Sequence, residues 1–513
     1  MQRSHWITLA SFSGVMLLAH GCSDDGNAGD AATTYIPDTG SDPTGNGDGD
    51  GDHSETGGNE EDGCPPITGC LDFPPDDDPV GCDSEGNCNL IDLLFVIDNS
   101  GTMGEEQLNL ARNFPLLVQQ LEALEDDSGA TLGANVNIMV TTSDFGNPLC
   151  KPFAKHDPEM GAPVASACTK RLDRFTGLEL FNPPSFPEAC TEVCAAPGIE
   201  PLDGDLIIHF EGGGIDNVPG VPPVDINGDG IDDSPVAQAL ACIGPQGIDG
   251  CGYEAQLESM MQALNPIAPW NCGAPDDPQQ CPDGGVERPF LREGAVLAIA
   301  IISDEADCSV KDYSIMTNKD YFATLDGEKL PSSAICWKAG VTCNGPDANG
   351  VYVNCFADDS DDVMHPVARY TDFLVKYMRE GLGKEVVMLG ILGVPPVTAH
   401  NPNPPHEPIE GGVHSLVYRK WRDVDILEED MLAGIDADYQ QWAFGIGPGC
   451  TGYDAMGNVT GQAIPPVRIK QVCESLNYDD RVRCCIESVC DEDFSAALGC
   501  LTDVIQDVFV PVE

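Results

Sequence analysis

The sequence predicts an α/β fold, with a central, mostly parallel β-sheet flanked by helices and interrupted by long disulfide-rich insertions. Three observations lead there. Aliphatic runs too continuous for a half-exposed strand recur along the chain, helical patterns fall between them, and most cysteines sit in the Pro- and Gly-rich stretches that separate these elements.

Leu93-Leu94-Phe95-Val96-Ile97 is unbroken apolar sequence, as expected of a strand covered on both faces. Leu110, Phe114, Leu117, Val118, Leu121 and Leu124 follow at helical spacing and make one apolar face, with Pro115 predicting a kink inside it. Val136–Thr141 reads as a second strand. Leu257, Met260, Met261 and Leu264 predict a helix near Tyr253–Leu264, and the nearly all-aliphatic Ala295–Ile302 predicts the strongest strand. A helix over Val367–Met378, a strand over Val386–Leu392 and a closing helix over Phe494–Val508 complete the alternation, which implies parallel strands joined by helices. The stretches at about 145–245, 266–290, 305–360 and 396–466 read as insertions without a core of their own, so 89–513 counts as one decorated domain.

The chain has 513 residues, a net charge of −61 and 23 cysteines. Such a charge repels nucleic acid and anionic membrane surfaces, and it favours divalent cations. The cysteines match no zinc or iron–sulfur spacing and read as disulfide staples of an oxidising compartment. The adjacent pair Cys484-Cys485 is expected to bond to two different partners. At the N-terminus, Arg3 precedes an apolar stretch, Ile7–Ala19, too short to span a bilayer and suited to a signal peptide over 1–21. Leu17-Leu18-Ala19-His20-Gly21-Cys22 resembles a bacterial lipobox, with Ala19 where Leu is usual, which implies lipidation at Cys22 as the membrane attachment. Ser23 rather than Asp after that cysteine points to the outer membrane. Residues 22–88 form an acidic Gly/Asp-rich tether: from 23 to 88 there are 18 Asp or Glu and no Lys or Arg, too little apolar surface to offset the entropy of ordering.

Two of the predicted strands end in oxygen-rich sequence. The first runs into Asp98-Asn99-Ser100-Gly101-Thr102, and the strongest ends in Ser303-Asp304-Glu305. Ligands of open parallel sheets bind beyond the carboxyl ends of the strands. In a tight turn, alternate side chains point the same way, so Asp98, Ser100 and Thr102 can face one hard cation. The alternative reading makes Asp98 a helix cap, with Ser100 and Thr102 serving turn amides.

Asp98-x-Ser100-x-Thr102 after an apolar strand resembles the first limb of the metal-ion-dependent adhesion site of von Willebrand factor A domains, with Thr102 keeping the hydroxyl of the family's last Ser. Ser303-Asp304 resembles a later limb. The resemblance covers roughly 89–510 and implies a Rossmann-like fold and Mg²⁺ or Mn²⁺ at Asp98, Ser100, Thr102 and Asp304. It also implies an open coordination position for an acidic group on a partner. One limb departs from the pattern: where the family places Thr, Gly247-Ile248-Asp249-Gly250 offers Ile248, so Asp249 substitutes or the site is weakened.

A second cation signal is Asp225-Ile226-Asn227-Gly228-Asp229-Gly230-Ile231-Asp232-Asp233. It sets oxygen ligands at Asp225, Asn227, Asp229 and Asp233, a carbonyl at Ile231 and Gly at the sharp turn, which suits Ca²⁺; an ordinary Asx-rich turn is the alternative. His400, His406 and His414 share a Pro-rich stretch with Glu407 and Glu410, yet their spacing fits no zinc pattern and they read as loop histidines. Asp304, Glu305 and Asp307 form an acidic cluster, read as a solvated or metal-facing edge. No His-Glu-x-x-His, Gly-x-Ser-x-Gly or Gly-x-x-x-x-Gly-Lys motif marks an enzyme. The expectation is a lipid-anchored, metal-dependent module that binds a protein or matrix ligand through a carboxylate. The alternatives are a structural envelope component with stabilising calcium sites and a secreted metal-dependent hydrolase.

Overall fold

The computed structural model describes residues 89–510, apart from 127, 178–184, 213, 273–285, 361–362, 433, 454–455 and 457–458. Cys22, the leader and the tether lie outside the described residues. A seven-stranded sheet is built from β1 (Leu90–Ile97), β2 (Asn135–Thr142), β3 (Ile208–Glu211), β4 (Ile215–Asp216), β5 (Val296–Ile302), β6 (Val386–Leu392) and β7 (Cys484–Ser488), in the order β7-β6-β5-β1-β2-β3-β4. The five strands from β7 to β2 are parallel, and β3 and β4 extend one edge antiparallel. β1 and β5 are buried along their whole lengths, which is why neither sequence shows polar alternation.

The helices that flank this sheet are α1 (Gly104–Glu122), α2 (Pro235–Ile243), α3 (Gln256–Ala263), α4 (Val367–Asp372), α5 (Val467–Glu474) and α6 (Ser495–Phe509). Successive side chains of a strand point to opposite faces, and β1 divides accordingly. Leu93, Phe95 and Ile97 join Phe114 of α1, Leu240 of α2 and Leu501 of α6, whereas Leu94 and Val96 join Met260 of α3, Tyr370 of α4 and Val472 of α5. The result is three layers, helices on each side of the sheet.

α1 continues through Pro115 as one 19-residue helix, with the side chains of Phe114, Leu117 and Val118 buried around the proline. Two expectations are corrected. The stretch 145–245 is not wholly an insertion, because β3, β4 and α2 belong to the sheet and its covering layer. α2 is apolar and buried on nearly every side, and β3 and β4 are too short to announce themselves. The stretches 305–360 and 396–466 do contain apolar cores. Trp337 from the first packs with Trp421, Ile426, Trp442, Phe444 and Ile464 from the second, and Ile315, Met316, Ile335 and Met364 form a further cluster. Each stretch alone looks core-poor because the cluster is shared between them.

Eight disulfides join Cys150–Cys251, Cys168–Cys190, Cys194–Cys242, Cys308–Cys336, Cys343–Cys355, Cys450–Cys490, Cys473–Cys484 and Cys485–Cys500 among the described residues. Cys484 and Cys485 take different partners because neighbours on a strand face opposite layers: Cys484 reaches α5 and Cys485 reaches α6.

Asp307 is not part of an acidic edge. Its side chain is 0% exposed, and its carboxylate accepts from Arg468 Nε at 2.8 Å and from Ser309 Oγ at 2.6 Å and also receives the Leu257 amide at the start of α3. Breaking one side of a buried pair leaves an uncompensated charge. Arg468→Met is expected to cost about 3–5 kcal/mol in denaturant unfolding; a loss within error of zero would refute this role for the pair.

Candidate metal centre

Strand order reverses at β1, whose neighbours β2 and β5 lie on opposite sides, and the connections leaving β1 and β5 therefore diverge. Asp98 follows β1 and Ser303-Asp304 follow β5, so two segments about two hundred residues apart meet over the carboxyl end of the sheet. The Asp98 amide donates to Ile302 O at 3.0 Å, which fixes the register of the two ends. Ser303 Oγ donates to Asp98 Oδ2 at 2.6 Å, the Ser100 amide to Asp98 Oδ1 at 2.8 Å, and Thr102 Oγ1 to Asp304 Oδ2 at 2.5 Å. Asp98, Ser100, Thr102 and Asp304 are thus brought together, as the sequence leads one to expect.

The first loop is tied down by a residue the sequence reading missed. Gln107 of α1 donates to both Asp98 O and Gly247 O at 2.8 Å, while its Oε1 accepts from the Gln246 and Gly247 amides. Its polar side chain on a helical repeat carries no motif. Gly250 lets the second loop pass close by: a Cβ there would meet Asn99 Oδ1 at 2.2 Å.

That second loop resolves the departure noted in the sequence. Ile248 is buried, with its amide bonded to Arg174 O. Asp249 turns to His156, whose Nε2 is 3.3 Å from Asp249 Oδ2 and 3.3 Å from Asp173 Oδ2, and burial pushes its carboxyl up to about 7. Neither supplies the missing limb. The residue of this loop that stands beside Asp98 is Glu254, which is 0% exposed, feels the Asp98 charge and accepts from Ser143 Oγ. A search for a hydroxyl in this loop passes over it, and its burial is not readable from the sequence.

The electrostatics are one-sided. Burial raises Asp98, Glu106, Glu254, Asp304 and Glu305, and for all but Asp98 neighbouring acids raise them further; Asp304 reaches about 7. Ser100 Oγ, Asp304 Oδ1, Glu106 Oε2 and Glu254 Oε1 are buried without a hydrogen-bond partner. Such groups are costly unless something pairs them. Among the described residues no three His, Cys, Asp or Glu side chains are grouped to hold a metal by themselves. What the rim offers is a mixed set, the hydroxyls of Ser100 and Thr102 beside the carboxyls of Asp98 and Asp304, and that donor set suits a hard divalent cation.

Comparison with protein-family models, curated proteins and solved structures finds no match.

The 225–233 segment is an exposed loop closed by a bridge between Val224 and Asp233. Asp225 accepts from the Gly228 and Gly230 amides at 2.6 and 3.0 Å, Asp229 from Ile231 at 2.7 Å, Asn227 from Asp229 at 3.1 Å, and Asp233 from Ile226 at 2.7 Å. Gly228 and Gly230 take positive φ, so the carboxylates curl inward over their own backbone. The three histidines do not converge. His400 contacts Glu487 at 2.9 Å, His406 contacts Asp503 at 2.6 Å, and His414 is exposed.

The raised carboxyls fix a sign for pH. Asp304 has a folded value of about 7 against about 3.9 for a free Asp, so the folded state holds its proton more tightly and its stabilisation fades as pH rises through that interval. In chelator, wild type is expected to lose stability from pH 5 to 7.5 relative to Asp304→Asn. Parallel pH profiles in urea unfolding would show that Asp304 titrates normally.

Proposed function

We propose that this chain is an exported, lipid-anchored protein-binding module of the von Willebrand factor A type. In this reading Mg²⁺ or Mn²⁺ sits among Asp98, Ser100, Thr102 and Asp304, and Ca²⁺ stiffens the loop of Asp225, Asn227, Asp229, Ile231 and Asp233. The observation that carries it is the convergence of unpartnered, buried Ser100 and Asp304 oxygens with Asp98 at the point where strand order reverses. The surrounding acids support a cation as the missing counter-charge, because each is raised by burial and, apart from Asp98, by other acids too. Glu254 stands beside Asp98 and adds charge to the loop in which Ile248 replaces the family's Thr. Lipidated Cys22 would hold the module at the cell envelope, with the outer membrane the favoured destination, and the acidic tether would space it from the bilayer. The partner is a protein or matrix ligand presenting a carboxylate, not nucleic acid.

A second reading is favoured by the enclosure of the site. Asp98 is 0% exposed, Ser100 3% and Asp304 7%, which suits a cation that stabilises the fold rather than one that meets a partner directly. Linkage separates the two. A cation at about 100 times its dissociation constant adds about 2.7 kcal/mol to folding stability. For the binding module, immobilised protein retains envelope or matrix proteins in Mg²⁺ and releases them in EDTA, and Asp98→Ala retains none while keeping its far-UV circular dichroism. Retention indifferent to both would sink that role; cation-dependent melting with nothing retained establishes the stabilising one.

A further inference from the structure

We infer that Glu305 of this chain supplies the carboxylate that completes the cation's shell, in the position a partner's acidic group would take. The inference rests on the metal reading above and concerns what fills the metal's remaining coordination position. Beyond the rim lies a narrow, partly open cavity of about 20 Å³, bounded by Ser100, Thr102 and Glu305 on one side and by Ser332, Ser333 and Phe444 on the other. That is room for about one water molecule, not for a side chain entering from another protein. Phe444 ends the helix Ala437–Phe444, and with Trp337, Trp421 and Trp442 it belongs to the apolar core that the 305–360 and 396–466 stretches share. These stretches therefore act as a cap over the rim.

Among the described residues, Glu305 is the one charged residue in the cavity lining. Its backbone is held in place on both sides: the Glu305 amide donates to Ser303 Oγ at 3.1 Å, and the preceding Asp304 carbonyl accepts from the Ile464 amide of the cap at 2.7 Å. Asp304 and Asp98 act on its side chain and it acts in turn on Glu254, all of them acids. The cap's own hydroxyls are spent as donors, Ser332 Oγ to Trp442 O at 2.6 Å and Ser333 Oγ to Gly252 O at 3.1 Å. Ser100 Oγ, buried and unpartnered, faces the same space. A cation seated between Ser100, Thr102 and Glu305 satisfies all three, with Asp98 and Asp304 flanking it. Glu305 thus acts as an internal ligand, and a partner's carboxylate reaches the metal only by displacing it and lifting the cap.

The test is Mn²⁺ binding to the full chain, with free Mn²⁺ read by electron paramagnetic resonance and metal-bound water by proton relaxation. Glu305→Gln is expected to weaken Mn²⁺ by about tenfold to a hundredfold, the range over which loss of a supporting group weakens metal sites. Glu305→Ala is expected to add one metal-bound water, with a melting temperature in EDTA no lower than wild type. Unchanged affinity and water number in both variants would overturn the role of Glu305 while leaving the metal site standing. Wild type that binds no Mn²⁺ would overturn the metal reading and this inference with it.

Discussion

Like charges held in a dry place set the terms for this structure. β1 and β5 deliver buried Asp98 and Asp304 and half-buried Glu305 to one end of the sheet, α1 adds half-buried Glu106 from its first turn, and the second loop adds buried Glu254. In water these groups would repel weakly; buried, they prefer to keep their protons or to share a cation. The hydrogen bonds from Ser303, Thr102 and Ser143 hold the acids in place but do not neutralise them. Gln107 and the close passage at Gly250 then lock the two loops together, so Asp98 and Glu254 cannot relax by swinging into solvent.

Much of the sheet was legible because burial on both faces leaves a simple mark. The aliphatic runs at Leu93–Ile97, Ala295–Ile302 and Val386–Leu392 lie within one or a few residues of β1, β5 and β6. β7 was not legible: Cys-Cys-Ile-Glu-Ser is short and half polar, and its place beside β6 comes from long-range backbone pairing that no sequence pattern reveals. The site divides in the same way. Asp98, Ser100, Thr102 and Asp304 stand at strand ends with regular spacing, and they could be named in advance. Glu254, Gln107 and the closure of the rim by Phe444 are products of tertiary packing between distant segments, and they leave no local signature.

The cap shows how a chain so rich in Pro, Gly and Asp organises its excursions. Three tryptophans and Phe444 from two stretches build one small core, and disulfides such as Cys308–Cys336 and Cys343–Cys355 shorten the loops that must be ordered. The cap is therefore a second layer of structure over the sheet's functional end, and the rim's enclosure follows from the same contacts that give it order.

The paired cysteines of β7 carry a consequence for how this molecule keeps to itself. β7 is the outermost parallel strand, and an outer strand exposes unpaired backbone groups that invite a foreign strand to dock. Here two consecutive residues are riveted to helices on opposite sides of the sheet. The border is thereby clamped from above and below, which restrains the splaying that runaway sheet growth requires. That clamp secures the sheet's border with covalent bonds, where surface charge alone would otherwise have to suffice.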